Sequence, residues 1–135
     1  MNFKIVPILL LALLLTSCGK GVDIDSAKLS VKDFHLLLNN NKFKEIYSGS
    51  SRELKDYDKE DTLSTNLQAV ITNLGKHKES KVTAWKVSTA LSGQAVILTY
   101  DSVFEKGAAL EQFTFKIEDG KTKLLNYNIK SKASR

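Results

Sequence analysis

Residues 81–131 read KVTAWKVSTALSGQAVILTYDSVFEKGAALEQFTFKIEDGKTKLLNYNIKS, and this stretch decides the fold. Apolar and polar residues alternate through most of it, the period of half-buried β-strands. Three turn signals, Ser92-Gly93, Lys106-Gly107 and Asp119-Gly120, divide it into four strands over about 81–91, 94–105, 109–118 and 122–131. Connections this short allow only antiparallel hairpins. Register follows from loop length, because a one-residue slip reverses the faces of a strand. A two-residue loop at Ser92-Gly93 sets Trp85 opposite Tyr100 and Val87 opposite Leu98. Another at Lys106-Gly107 sets Tyr100 opposite Phe113 and Leu98 opposite Phe115. A three-residue loop, Asp119-Gly120-Lys121, sets Phe113 opposite Tyr127 and Phe115 opposite Leu125. The expected inward face therefore carries an aromatic row, Trp85, Tyr100, Phe113 and Tyr127, above an aliphatic one. The opposite face is mostly polar (Lys86, Thr99, Asp101, Gln112, Thr114, Asn126, Asn128) with one apolar strip, Val82, Val103 and Leu110.

Upstream of this sheet the period is helical. Ala27, Val31, Phe34 and Leu38 mark one helix, with Ser26 as its expected N-cap and Asn39-Asn40-Asn41 as its stop. Phe43, Ile46 and Tyr47 suggest a short second helix. Ser50-Ser51-Arg52-Glu53 reads as a capping box. Leu63, Leu67, Val70, Ile71 and Leu74 form a stripe that Gly75 ends. Helices followed by a meander define an α+β class with the helices on one face of the sheet.

Three features carry a resemblance to a known superfamily: Phe34…Leu38-x-x-x-x-Phe43-x-x-Ile46-Tyr47-Ser48, the Leu74-Gly75 helix end, and Tyr100-x-x-x-Phe104 ahead of Gly107. Over residues 26–131 the chain resembles the nuclear-transport-factor-2-like, cystatin-related cone, a fold shared by small bacterial lipoproteins of uncharacterised function. The resemblance implies N-terminal helices packed on a curved four-stranded sheet. Between them lies a cone that is catalytic in some members and binds a ligand or is simply packed in others.

The N-terminus is an address. Lys4 precedes an unbroken apolar run from Ile5 to Leu15, eleven residues against the roughly 20 of a membrane span. The run ends in Leu15-Thr16-Ser17-Cys18, which resembles a bacterial lipobox. By that resemblance residues 1–17 are a lipoprotein signal peptide and Cys18 is the lipidation site. Residues 18–25 are then a lipidated tether, 26–131 the cone domain and 132–135 a basic tail. Gly19 after the cysteine, rather than Asp, implies the outer membrane facing the periplasm in a Gram-negative cell. In a Gram-positive cell the same signal implies the outer face of the plasma membrane. Cys18 is the chain's single cysteine, so a disulfide framework and a cysteine metal cluster are excluded.

The whole chain of 135 residues carries a formal charge of +5. Without residues 1–17, 118 residues remain at +4, polarised between −1 over residues 18–75 and +5 over 76–135. A basic sheet half suits anionic headgroups or plain solvation. Acids interrupt the lysines throughout and the chain is expected outside the cytoplasm, so nucleic acid is not an expected partner.

For chemistry, the inward strand positions offer the hydroxyls of Tyr100 and Tyr127. Asp101 and Glu118 face outward by register, His35 borders the first helix's core stripe, and His77 is expected in solvent. No P-loop, dinucleotide fingerprint, EF-hand, His-x-x-x-His or nucleophile elbow is present. The expectation is a non-enzymatic accessory or binding module without catalytic residue, metal or cofactor. Two readings remain open. Trp85, Tyr100, Phe113, Tyr127 and Phe34 line a pocket for a small apolar ligand, or they fill the core. Val82, Ile97, Val103 and Leu110 form an interface for an envelope protein or a second copy, or they are ordinary exposed apolar residues.

Overall fold

In the computed structural model, residues 23–90 and 93–132 are described; the signal, Cys18, most of the tether and residues 133–135 lie outside them. Four helices precede four strands: α1 Ile24–Asn39, α2 Phe43–Ser48, α3 Arg52–Tyr57, α4 Glu60–Leu74, β1 His77–Ala90, β2 Gly93–Phe104, β3 Gly107–Glu118 and β4 Lys121–Ser131. The sheet is an antiparallel meander in the order β1-β2-β3-β4. One core joins the helices to one sheet face, with Ala27, Val31, Phe34 and Leu38 of α1 and Leu63, Leu67, Val70 and Leu74 of α4 meeting Leu98, Phe104, Phe113 and Phe115. This is the α+β architecture expected from the sequence. Among the described residues no helix is long and apolar enough to cross a membrane.

The helix ends show where local chemistry acts. Asp23, not Ser26, caps α1, its side chain accepting from Asp25 N at 3.2 Å. In the capping segment before α3 it is Ser51 that accepts from Leu54 N, at 3.2 Å. Ser50 is buried instead, its hydroxyl donating to Ile46 O at 2.7 Å. Gly75 ends α4 as expected, with φ 75°. A Cβ there would also lie 2.8 Å from the Cβ of Glu105.

The faces of β2 and β3 hold, but two registers move. The β2–β3 turn is Glu105-Lys106, so Phe104 pairs with Gly107. It is fixed there by the end of α4: Glu105 N donates to Lys76 O at 2.9 Å and Lys106 N to Leu74 O at 2.8 Å. The shift sets Leu98 opposite Phe113 and Tyr100 opposite Glu111. Between β1 and β2, Ala90 pairs with Gly93, which sets Trp85 opposite Leu98 rather than Tyr100. A β-bulge between Val82 and Ala84 then reverses the alternation, so Val82 pairs with Tyr100 and packs, half-buried, against the core. The expected outer strip through Val82 is thereby corrected: Val82 faces inward.

The last hairpin places Phe113 opposite Tyr127 as expected, by a different route. Asp119 and Gly120, with φ 52° and 74°, close a two-residue turn, the double positive-φ form that suits strand twist. The extra residue is taken up by a bulge at Leu125, which leaves Leu124 opposite Phe115. The chain between α2 and α3 docks at this irregularity, with Ser51 N donating to Leu124 O at 2.8 Å.

Candidate functional site

The expected aromatic set is partly assembled. Phe34 meets Phe113 edge-on with centroids 5.1 Å apart, and Tyr127 lies 4.6 Å from Phe34 and 5.0 Å from Phe113. Tyr100 contacts Phe113 edge-on at 5.8 Å. Trp85 stands apart, 56% exposed, in the second half of β1. Of the outer-face residues, Val103 and Leu110 are exposed and Ile97 is half-buried.

Beside the aromatic group lies a polar cluster that the sequence reading did not assemble. Glu111 shares the inward parity of Phe113 and Phe115 and has no exposed surface. Its Oε1 accepts from His35 Nε2 of α1 at 2.8 Å and from the Ser102 hydroxyl of β2. Its Oε2 accepts from Tyr127 OH at 2.6 Å. Ser102 Oγ lies 2.7 Å from Ser80 Oγ, and Ser80 in turn contacts His77 Nε2. The imidazoles of His35 and His77 stack face to face, centroids 3.5 Å apart and planes within 4°. His77 therefore does not sit in solvent. It is the first residue of β1, which begins earlier than expected, and the Asn39 side chain grips its backbone on both sides. Asn39 Oδ1 accepts from His77 N at 2.8 Å and Asn39 Nδ2 donates to His77 O at 2.9 Å.

Proton counting gives the cluster a direction. An ionised carboxylate only accepts, and Ser102 spends its single proton on Glu111. Ser80 must then donate to Ser102, and His77 Nε2–H to Ser80. Both imidazoles thus direct an Nε2 proton at one carboxylate, His35 directly and His77 through two hydroxyls.

The electrostatics follow from burial and these bonds. Burial pushes Glu111 upward, but the hydrogen bond and charge of His35, with the hydroxyls of Ser102 and Tyr127, outweigh it and hold the carboxyl below its ordinary value. Burial, then the neighbouring His35, lower His77 to about 4, so its ring is neutral at physiological pH. Burial and then Glu111 raise Tyr100, and the same causes with the Glu111 hydrogen bond raise Tyr127 well above the usual phenol.

A separate hollow of about 210 Å³ opens elsewhere between the helices and the sheet. Phe34, Leu37, Ile46, Phe115 and Leu124 form its apolar walls, with Asp33 and Glu45 among its lining residues. It touches none of the cluster residues, and of the expected pocket set only Phe34 borders it. A signal for the cluster was present in the sequence: Glu111 is an acid at an inward position between Ala109 and Phe113. The pairing of His35 with His77, whose partners arrive from α1 and the start of β1, had no such signal.

The chain is thus an α+β domain with an aromatic group in its core and a largely buried His–Glu–hydroxyl cluster beside it. A family model described as "Protein of unknown function (DUF4019)" matches residues 30–127, and the chain belongs to that family. No curated protein matches it. Among solved structures, that of a "Putative Scytalone Dehydratase" from Novosphingobium aromaticivorans is similar over 81% of this chain and 83% of that one, at 10% identity and a TM-score of 0.49. At that level of likeness nothing of its activity transfers.

Proposed function

We propose that the chain is a lipid-anchored, non-enzymatic accessory or binding module of the cell envelope, attached through Cys18. The attachment rests on Leu15-Thr16-Ser17-Cys18 at the end of an apolar run too short to span a bilayer. The five residues from Gly19 to Asp23, the cap of α1, two of them glycine, reach roughly 12 Å, which keeps the domain near the headgroups. The outer membrane is its site in a Gram-negative cell, and the outer face of the plasma membrane in a Gram-positive one.

The observation that carries the non-enzymatic reading is Glu111. A general base works best with a pKa near neutrality and within reach of a substrate proton. Glu111 is fully enclosed, bonded by three donors and held below its ordinary value. A nuclear-transport-factor-2-like cone with this interior suits binding rather than turnover. The hollow bordered by Phe34 and Phe115 is the place for a small, largely apolar ligand. The outer face with Val103 and Leu110 is the alternative, as a contact for an envelope protein or a second copy.

Metabolic labelling with a palmitate analogue tests the anchor. The label is expected on the wild-type chain and absent from Cys18→Ala; labelling that persists in the variant contradicts it. Val103→Glu tests the alternative, which fails if oligomeric state and partner capture are both unchanged.

A further inference from the structure

From the juxtaposition of His35, His77 and Glu111 we infer a largely buried binding site for one divalent transition-metal ion of the zinc type. One ligand atom from each of the three residues lies within 4.8 Å of the others. They arrive from three different elements, α1, β1 and β3, so the fold and not a local loop assembles the set. Two imidazoles and a carboxylate are the donor types that borderline divalent metals take. The inference goes beyond the proposed function and does not depend on the membrane anchor.

Two observations and one general argument point to a ligand. First, the support around the donors is of the kind metal ligands need. Ser102 and Tyr127 orient the Glu111 carboxylate, and Asn39 fixes the His77 backbone through both its N–H and C=O. Second, the apolar alternative is cheap. Well-packed hydrophobic residues of similar volume commonly replace a buried ionic group without loss of stability, so packing alone does not call for this set. Third, the bonds among the donors are those an ion would replace. The proton between His35 Nε2 and Glu111 Oε1, 2.8 Å apart, occupies the place of a cation shared by the same two atoms.

The arrangement also says how an ion enters. Parallel ring planes 3.5 Å apart cannot both aim their in-plane lone pairs at one ion, so one ring must turn. His77 is the ring that can. It is half-buried on the edge strand, while His35 is buried within the helix–sheet contact. Asn39 holds its backbone, and turning the ring gives up its contacts with Ser80, the Glu79 backbone and His35. Binding therefore requires His77 to turn from Ser80 toward His35 and Glu111, whose ligand atoms already lie within 4.8 Å of its own. Three donors leave the fourth position of a tetrahedral ion to a water or a further ligand, in surroundings lined by Tyr127, Phe113 and Ser102.

The test uses the full chain carrying Cys18→Ser, which removes the one thiol that would compete for metal. Zinc is titrated calorimetrically and by thermal melting, and cobalt(II) by its visible absorption. The expected result is one equivalent of zinc, a raised melting temperature and a cobalt spectrum with nitrogen ligation. His77→Phe keeps the ring stack while removing the donor, and should weaken zinc binding at least about 100-fold. Glu111→Gln should also weaken it while retaining the oxygen shape. The inference is overturned if the unsubstituted site gives neither binding heat nor a melting shift with millimolar zinc. It is equally overturned if His77→Phe binds as tightly as the parent, which would place the ion on surface carboxylates.

Discussion

The two halves of β1 share a strand, a sheet and a partner, yet their inward residues meet different fates. In the first half His77, Ser80 and Val82 are half-buried beneath α1 and join the core or the polar cluster. In the second half Trp85 and Val87, opposite the buried Leu98 and Val96, are 56% and 48% exposed, left uncovered among the described residues. A bulge at the junction separates the two registers. Alternation in a strand states which side a residue takes. Coverage depends on the length and placement of elements elsewhere, so an aromatic at an inward position is core only where a helix lies above it.

The comparison breaks most readily at Glu111, beneath the covered half. Glu111→Ala strands the His35, Ser102 and Tyr127 donors in the interior and should cost about 3–5 kcal/mol in urea unfolding. A loss under about 1 kcal/mol, the scale of an exposed ion pair, would mean the cluster is solvated. Acidification should weaken the same half next. His77 is lowered from 6.5 to about 4 in the folded chain, so between those values the unfolded chain takes up a proton that the folded chain refuses. Glu111, also lowered, loses its stabilising contribution as pH falls from the ordinary carboxylate value through its folded one. Both signs agree: stability measured in chelator should fall steadily below pH 6.5, and a flat profile from 6.5 to 4.5 would contradict the burial of His77.

Smaller effects sharpen the contrast. Asn39→Ala removes both bonds that fix His77 and should cost about 1–3 kcal/mol. Amide exchange should then accelerate around His77 and not around Trp85. Trp85→Ala, in the projecting half, should change stability by no more than about 0.5 kcal/mol. As the chain's single tryptophan, Trp85 should also emit with a solvent-exposed maximum and be quenched by acrylamide. A blue-shifted, protected emission would show that this half is covered after all.

The fold was legible because its signals are periodic. The stripes of α1 and α4, the Gly75 stop and the strand alternation each state a local geometry that the tertiary structure kept. Register was less legible because turn chemistry is not purely local. Lys106-Gly107 looks like a hairpin loop, yet the end of α4 holds Glu105 and Lys106 and moves the turn one residue earlier. The bulges at Val82/Ala84 and Leu125 carry no clear mark in the sequence, and they decide that Val82 turns inward and Leu124 replaces Leu125 opposite Phe115. Of the expected aromatic set, Phe34, Tyr100, Phe113 and Tyr127 are in contact, while Trp85 shares the inward face and is exposed. The His35–Glu111–His77 cluster depended on a contact across 76 residues of sequence, which no spacing rule reports.

NMR of the cluster's imidazole nitrogens, recorded in chelator across pH 3.5–8, tests this arrangement most directly. The predicted result is a His77 ring that stays neutral down to about 4 with its proton on Nε2, and a His35 Nε2 proton protected by its bond to Glu111. A His77 titrating near its ordinary 6.5, with both Nε2 protons exchanging freely with water, would contradict it.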